Sequence, residues 1–588
     1  MKKLHRRPDR SPQPIFSFGN FLAAGHPVAA FHRADTWRDR LLAALCFLPL
    51  VILMWAPSIA TSGMPYETEF VYSSDSDGPL AGFFYWPFLL RLHIRFFFHL
   101  SWLIGEALGI SGSYVPYTAM YAALWWFRGL VVFMLLERFL PAWPAFRFLA
   151  GALVIFHAAD RSLLWIGQMN QQGFLLWILL SFSCLVAAYQ SPDPLRRAAC
   201  MLGGMFFQHL TLWTYESPIF VICAAPLLLL PLRPKRNQWI RFTAAWAIVP
   251  ATYAALTLRL YMVATNIDYQ SSMLRKDLTA ANLTVDFFYN LWHTLNFWRW
   301  QDVSANQFAP QGLFYLVTLS AVFFFAGLAL FAVRQFRAQG AVLPAPRSLL
   351  AVAAAGLLYC AFSFPPYLIL EDARTAWRTL LLSGPGAMVA LAAGIALLAG
   401  RLPGRRLPLA AAILLALPAG LFGAKAALHF GAAHRHRWEI QRVVVAGIIN
   451  AAPRLQPYTL VFLLNMPKQG DPFGENLWFD KVFRLYNPGV PVAGAYFHED
   501  GTPSVDNHWA IENGEWVWKR PRQPQMFERT CLQNTLLIDY SGGHPRVLNR
   551  WTPAPFAGPE LTNVHYNPAL RIIPEPPVPQ AVRRYGPL

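Results

Sequence analysis

The chain has 588 residues, 55% of them hydrophobic and only 14% charged, with a formal net charge of +18. A globular chain carries about 25% charged residues, so this balance points to the bilayer, and the length exceeds what one ordinary core organises. Nucleic-acid binding is set aside, because Lys and Arg sit in short segments between apolar runs and form no basic patch.

The first forty residues are basic and irregular, with Lys2, Lys3, Arg6, Arg7, Arg10, Arg33, Arg38 and Arg40 ahead of an apolar run at 41–60. A signal peptide would start its apolar stretch sooner and end in a small-residue cleavage site. The run is therefore expected to be an uncleaved first helix entering from the cytoplasm. The outer loop after it, 61–116, opens with Glu67, Glu69, Asp75 and Asp77, then turns aromatic around Pro87 and meets Arg91, His93, Arg95 and His99. Its 82–110 stretch suits an interfacial or re-entrant helix. Asp75 and Asp77, beside Gly78-Pro79, also read as ordinary turn formers.

Further apolar runs lie near 117–139, 147–166, 172–190, 198–214, 217–232, 240–262, 311–333, 348–368, 379–400 and 407–429, making about eleven spans in all. Each approaches the roughly 20 residues that cross a hydrocarbon core of about 30 Å. Alternate loops are short and basic: Arg147; Arg196 and Arg197; Arg233, Lys235, Arg236 and Arg241; Arg334, Arg337 and Arg347; Arg401, Arg405 and Arg406. The opposite loops are acidic or mixed, as in 263–309 with Asp268, Arg275, Lys276, Asp277 and Asp286. That asymmetry predicts a cytoplasmic N-terminus and an extracytoplasmic C-terminus.

Ionisable groups in or beside the spans are the candidate functional residues, because charge at membrane depth is expensive. His157, Asp160, Arg161, Trp165 and Gln168 cluster at the outer end of the third span, where a wetted loop is the plain alternative. Glu216 lies in TLWTYESPIF between two apolar runs, and Arg128 lies within the second span as a possible partner for an inward-facing acid. In EDARTAWR (371–378), Arg374 and Arg378 are one helical turn apart and share a face. Two guanidinium groups there would clamp a phosphate bidentately, or snorkel to lipid headgroups.

After residue 430 the composition turns polar, and segments such as 458–465 and 535–540 have strand-like content. Residues 430–573 are expected to form a small mixed α/β domain outside the membrane, followed by a Pro-rich tail at 574–588. Five of the six cysteines lie in or beside apolar runs and Cys531 is alone in the C-terminal domain, so neither an internal disulfide there nor metal-ligand spacing is expected. The expected fold is mainly α: a polytopic transmembrane helical bundle with a small extracytoplasmic α/β domain.

Over most of 41–400 the order of features resembles that of the GT-C membrane glycosyltransferases, particularly the protein O-mannosyltransferase-like members. The resemblance rests on a first span, an outer loop with an acidic pair (FVYSSDSDG) and an aromatic segment with a basic residue (YWPFLLR). It extends to LAGALVIFHAADRSLLWIGQMNQQGFLLWILLSFSCLVAAY, with His157 and Trp165–Gly167 at the family's usual places, and to TLWTYESP. Asp75-Ser76-Asp77 replaces adjacent acids, Tyr215 stands where the family has a basic residue before the motif glutamate, and no tetratricopeptide repeats follow.

The resemblance implies an inverting hexosyl- or pentosyltransferase that moves a sugar from a polyprenyl-phosphate-linked donor to a lipid-linked glycan or protein acceptor at the outer face of the membrane, and abundant Ala, Arg and Pro without eukaryotic sorting signs point to a bacterial plasma membrane. On that reading Asp77 or Asp75 is the general base. Arg374, Arg378 and Arg91 hold the donor phosphate, and Asp160 or Glu216 orients sugar hydroxyls. His157 joins this binding group, and Trp86, Trp165 or Trp300 lines the sugar or prenyl site. No resident cofactor is required, although two carboxylates can attract a divalent cation. A transporter or flippase of lipid-linked saccharide would use the same clamp and lining without catalysis, and a membrane scaffold would use neither.

Overall fold

The computed structural model describes residues 33–59, 96–110, 115–158, 169–232, 234–263, 274–300, 312–339, 343–370, 379–404, 407–487, 489–519, 526–551, 561 and 563–573. Its helices are α1 (Arg33–Ile59), α2 (Phe96–Ala107), α3 (Val115–Glu137), α4 (Pro144–Phe156), α5 (Met169–Gln190), α6 (Pro194–Thr214) and α7 (Ile219–Ala224), the last continuing as a 3₁₀ segment Ala225–Leu232. Then come α8 (Arg236–Val263), α9 (Ala280–Leu295), α10 (Leu313–Gln339), α11 (Pro346–Ser363), α12 (Pro365–Leu368), α13 (Thr379–Ala399) and α14 (Leu407–Ala451).

Every residue of α4 is buried, because apart from Arg147, whose charge is paired, it is apolar or small all round and α1, α3, α10, α13 and α14 enclose it. Glycines set how closely these neighbours approach: a Cβ on Gly151 would lie 2.8 Å from the Gly129 carbonyl oxygen, and one on Gly423 would lie 2.0 Å from that of Phe156. Small residues at such crossings are how helices associate in lipid, where no hydrophobic force draws them together. Outward faces are apolar instead: Leu202 and Phe206 on α6, Ile248 and Leu258 on α8, and Phe323 and Leu330 on α10 are all exposed. A soluble protein rarely exposes a surface of this kind.

Six helices among the described residues are long and apolar enough to cross a membrane: α3, α5, α10, α11 together with α12, α13 and α14. Two more, α4 and α7 with its 3₁₀ extension, are apolar but shorter. About eleven spans were expected. The helices α1, α6 and α8 fall short because they are the least apolar of the long ones, with Gln208 and His209 in α6 and Arg241 and Arg259 in α8. Two ends also differ from expectation. The run 147–166 leaves helical geometry at His157, and the last helix continues from 429 to Ala451 because no proline stands between Pro418 and Pro453.

The C-terminal region follows directly from α14. Strands β1 (Thr459–Met466), β2 (Val492–His498), β3 (Trp509–Glu512), β4 (Glu515–Trp518), β5 (Arg529–Cys531), β6 (Thr535–Asp539) and β7 (Arg546–Leu548) form two sheets, with helix α15 (Asn476–Tyr486) between β1 and β2. The first sheet has the order β2-β1-β6-β7, parallel at β2-β1-β6 and antiparallel at β7. Helix α15 finishes its open edge: Asn476 bonds the Gly494 carbonyl and the Tyr496 amide, and Asp480 accepts from the Gly494 amide at 2.9 Å. The antiparallel β3-β4-β5 sheet turns between its first two strands on Asn513-Gly514, both at positive φ, as a two-residue hairpin requires. All six cysteines are free.

Candidate functional site

Helix α4 ends inside the bundle, and its last carbonyls need donors. Arg128 supplies them: from α3 its Nη2 reaches the carbonyls of Ile155 (3.4 Å) and His157 (3.2 Å), while its guanidinium lies 4.0 Å from the centre of the Trp125 ring. A cation at a helix C-terminus is favoured by the dipole as well. Arg128 therefore fixes the point where the chain turns extended at His157.

The His157 ring is held on three sides. It meets the edge of Trp300 at 4.8 Å between centroids, is hydrogen-bonded to the Thr294 backbone, and packs on Gly384 so closely that a Cβ there would sit 2.6 Å from Nδ1. Thr294 Oγ1 lies 3.1 Å from Ser383 Oγ, joining α9 to α13. Nearby, Trp55 at the end of α1 stacks on Tyr121 and meets Trp125 edge-on.

Several buried polar atoms here have no hydrogen-bond partner among the described residues: His157 Nε2, the indole nitrogens of Trp55, Trp125 and Trp300, and both side-chain polar atoms of Asn296, a residue only 1% exposed. Buried groups are normally satisfied. This end of the bundle thus offers polar donors and acceptors between indole faces, beside the buried guanidinium of Arg128.

Helix α9 is amphipathic in the reverse sense. Asp286, Asn290 and Thr294, four apart, are buried, whereas Val285, Phe288 and Trp292 are exposed. The buried carboxylate of Asp286 pairs with Arg275, which also binds Asp277 at 2.9 Å and holds that carboxylate below its usual range. The Arg275 amide donates to the Ile369 carbonyl at 3.0 Å, beside the Leu274–Leu370 bridge. The segment before α9 is thereby tied to the residues immediately preceding 371–378.

Of the site residues expected from sequence, His157 is in this cluster and Glu216 is exposed in the turn between α6 and α7, where its carbonyl accepts from the Ile219 amide. Asp75, Asp77, Arg91, Asp160, Trp165, Arg374 and Arg378 lie outside the described residues. Trp300 packs against His157 in this cluster, and Arg128 binds helix-end carbonyls. Sequence reasoning missed Thr294, Asn296, Ser383 and the Arg275–Asp286 pair. The four-residue spacing of Asp286, Asn290 and Thr294 was the one signal that marked a polar stripe. Among the described residues, no group of three or more His, Cys, Asp or Glu side chains could hold a metal ion.

Bundle, exposed apolar surface and buried polar cluster together define a multi-pass membrane protein with a site at the bundle end from which α14 leads into the C-terminal sheets. Among solved structures, the chain is similar to ArnT from Cupriavidus metallidurans bound to undecaprenyl phosphate: 13% identity over 76% of this chain and 85% of that one, with a TM-score of 0.35. The apo state of ArnT from the same organism is similar at 14% identity over 78% and 86%, with a TM-score of 0.34. No family model and no curated protein matches the chain.

Proposed function

We propose that the chain is an inverting membrane glycosyltransferase that moves a sugar from a polyprenyl-phosphate-linked donor to a lipid-linked glycan or protein acceptor. One observation carries this reading. The described ends that precede 60–95 and 159–168 come together at the buried polar cluster: Trp55 of α1 meets Trp125, Trp125 lies under Arg128, and Arg128 binds the His157 carbonyl. The segment 371–378 is followed by α13, whose Gly384 touches His157. This meeting of Trp55, His157 and Gly384 supports the reading that the acids and arginines of the resemblance serve one site.

In this mechanism Asp77, or Asp75, takes the proton of an acceptor hydroxyl, whose oxygen forms a bond to the anomeric carbon. The bond from that carbon to the phosphate oxygen breaks on the opposite face, and polyprenyl phosphate leaves. Arg374, Arg378 and Arg91 neutralise the charge that develops on the phosphate. Asp160, Trp165, His157 and Glu216 would position the sugar. On this reading α1, α3 to α8, α10, α11, α13 and α14 would make eleven crossings, with the N-terminus cytoplasmic and the C-terminal region extracytoplasmic in a bacterial plasma membrane, as the basic loops favour.

The test is transfer of labelled sugar from polyprenyl-phosphate donors by the purified protein, beside Asp75→Asn, Asp77→Asn and the double variant. Transfer is expected in the unaltered chain, with collapse in a variant that still folds and binds donor. Donor binding without turnover, unchanged by either substitution, would replace the enzyme with a carrier of lipid-linked saccharide.

A further inference from the structure

Away from His157, a second site lies between α3, α5, α7, α11 and α13. It is a cavity of about 290 Å³, walled by aliphatic and aromatic side chains such as Leu136, Phe182, Leu228 and Val389. It exists because one wall is thin: α7 lasts six residues and gives way to the 3₁₀ segment with Pro226 and Pro231. On α11 the wall is small-sided at Ala351, Ala355 and Gly356. Arg347 and Phe362 both line the cavity, and at 1.5 Å per residue their positions on α11 are ~22 Å apart.

Charge is confined to one rim. Arg347 is exposed and is the one charged residue among the lining side chains. Arg138 follows the lining stretch of α3, and Lys235 and Arg236 follow that of the 3₁₀ segment, so the basic groups crowd the same end. We propose that this cavity binds an anionic glycerophospholipid, with one acyl chain inside and the phosphate on Arg347. An acyl chain covers about half of a 30 Å hydrocarbon core, so chain and glycerol region fit the depth. A guanidinium at the mouth binds a phosphate through two parallel hydrogen bonds, and neighbouring basic side chains favour a lipid with net negative charge. The site is independent of the transferase reading.

Native mass spectrometry of the full chain, purified and exposed to equal amounts of phosphatidylglycerol and phosphatidylcholine, tests this. Phosphatidylglycerol should be retained over phosphatidylcholine by about fivefold or more, and Arg347→Gln, at an exposed position, should bring the two lipids level. Ala355→Trp should fill the cavity and remove bound lipid of either kind. Equal retention of the two lipids by the unaltered chain would reduce the cavity to ordinary lipid contact. Displacement of phosphatidylglycerol by an added polyprenyl phosphate, or retention indifferent to both substitutions, would also overturn the proposal.

Discussion

Arg147 Nη1 lies 3.0 Å from a carboxylate oxygen of Glu137, with the two side chains 0% and 7% exposed. The pair belongs to a wider network: Arg40 donates twice to Glu137 (3.0 and 2.6 Å), and Asp39 accepts from Arg147 (3.5 Å) and forms an ion pair with Arg334, whose Nε lies 3.1 Å away. Four helices, α1, α3, α4 and α10, are tied at one end of the bundle by three arginines and two acids. Removing Glu137 leaves one acid, Asp39, to balance three arginines, whereas removing Arg147 leaves each acid another arginine. Glu137→Gln should cost about 3–5 kcal/mol, and Arg147→Met much less, since an apolar replacement of a buried ion is often tolerated. Thermal unfolding of both variants in nanodiscs measures the difference, and equal losses would mean that burial alone matters at this end.

A second prediction concerns the crossing of α14 over α4. Gly423 faces the Phe156 carbonyl with no room for a Cβ, whereas a Cβ on Gly420 would meet Phe156 ring atoms at 3.4 Å, an ordinary contact. Gly423→Ala should therefore push the helices apart and destabilise by about 1–3 kcal/mol. Gly420→Ala should stay within roughly 0.5 kcal/mol, as mild substitutions do. Chemical unfolding in detergent compares them, and an unchanged Gly423→Ala variant would show that α14 does not rest on α4.

The helices were largely legible because lipid demands long apolar runs, and β1 and β6 because their strand content stands in a polar region. Helix ends were less so. Nothing near residue 157 announces that Arg128, far earlier in the chain, will cap α4 there, and the polar composition after 430 hides a helix that no proline interrupts. At the site, His157 stood out as a polar residue ending an apolar stretch. Thr294 and Ser383 did not, being common residue types that meet only in the fold. The stripe on α9 was readable as a pattern but not as a direction: its polar face is buried toward α13, and its apolar side chains Val285, Phe288 and Trp292 are the exposed ones.

The C-terminal domain should respond to pH through Asp471 and His498, whose Nε2 lies 3.2 Å from the Asp471 carboxylate. Asp471 raises the His498 imidazolium above its ordinary value of 6.5, against the opposing effect of burial. Burial pushes Asp471 up, but hydrogen bonds from His498, Tyr496 and the amides of Phe473 and Gly474 outweigh it and leave the carboxyl below 3.8. The histidine contribution is complete below pH 6.5 and disappears as pH rises through its raised value. The aspartate contribution is complete above 3.8 and disappears as pH falls through its lowered value. The loop 467–475 should thus be best protected between about pH 4 and 6.5 and loosen toward pH 8. Hydrogen exchange of this loop at pH 6 and pH 8, corrected for the intrinsic rate, should show the loss, and His498→Gln should flatten it. Equal protection at both pH values would show that the pair does not hold the loop.

Asn296 separates a ligand site from a packing accident. Its amide is buried beside Phe297 and near Trp300, with neither polar atom bonded among the described residues. A buried polar group without a partner costs about 1–3 kcal/mol, so Asn296→Leu should stabilise the protein by about 1 kcal/mol in the absence of substrate. If the amide serves sugar hydroxyls, the same variant should lose transfer at least about tenfold, because a site built to hydrogen-bond a hydroxyl suffers when the bond is removed. Thermal unfolding and transfer assays on one preparation give both numbers. A gain in stability with full activity would mean that the cluster around His157 does not meet the substrate. A loss of stability would mean that protein groups already hold the amide, and would remove Asn296 from the site.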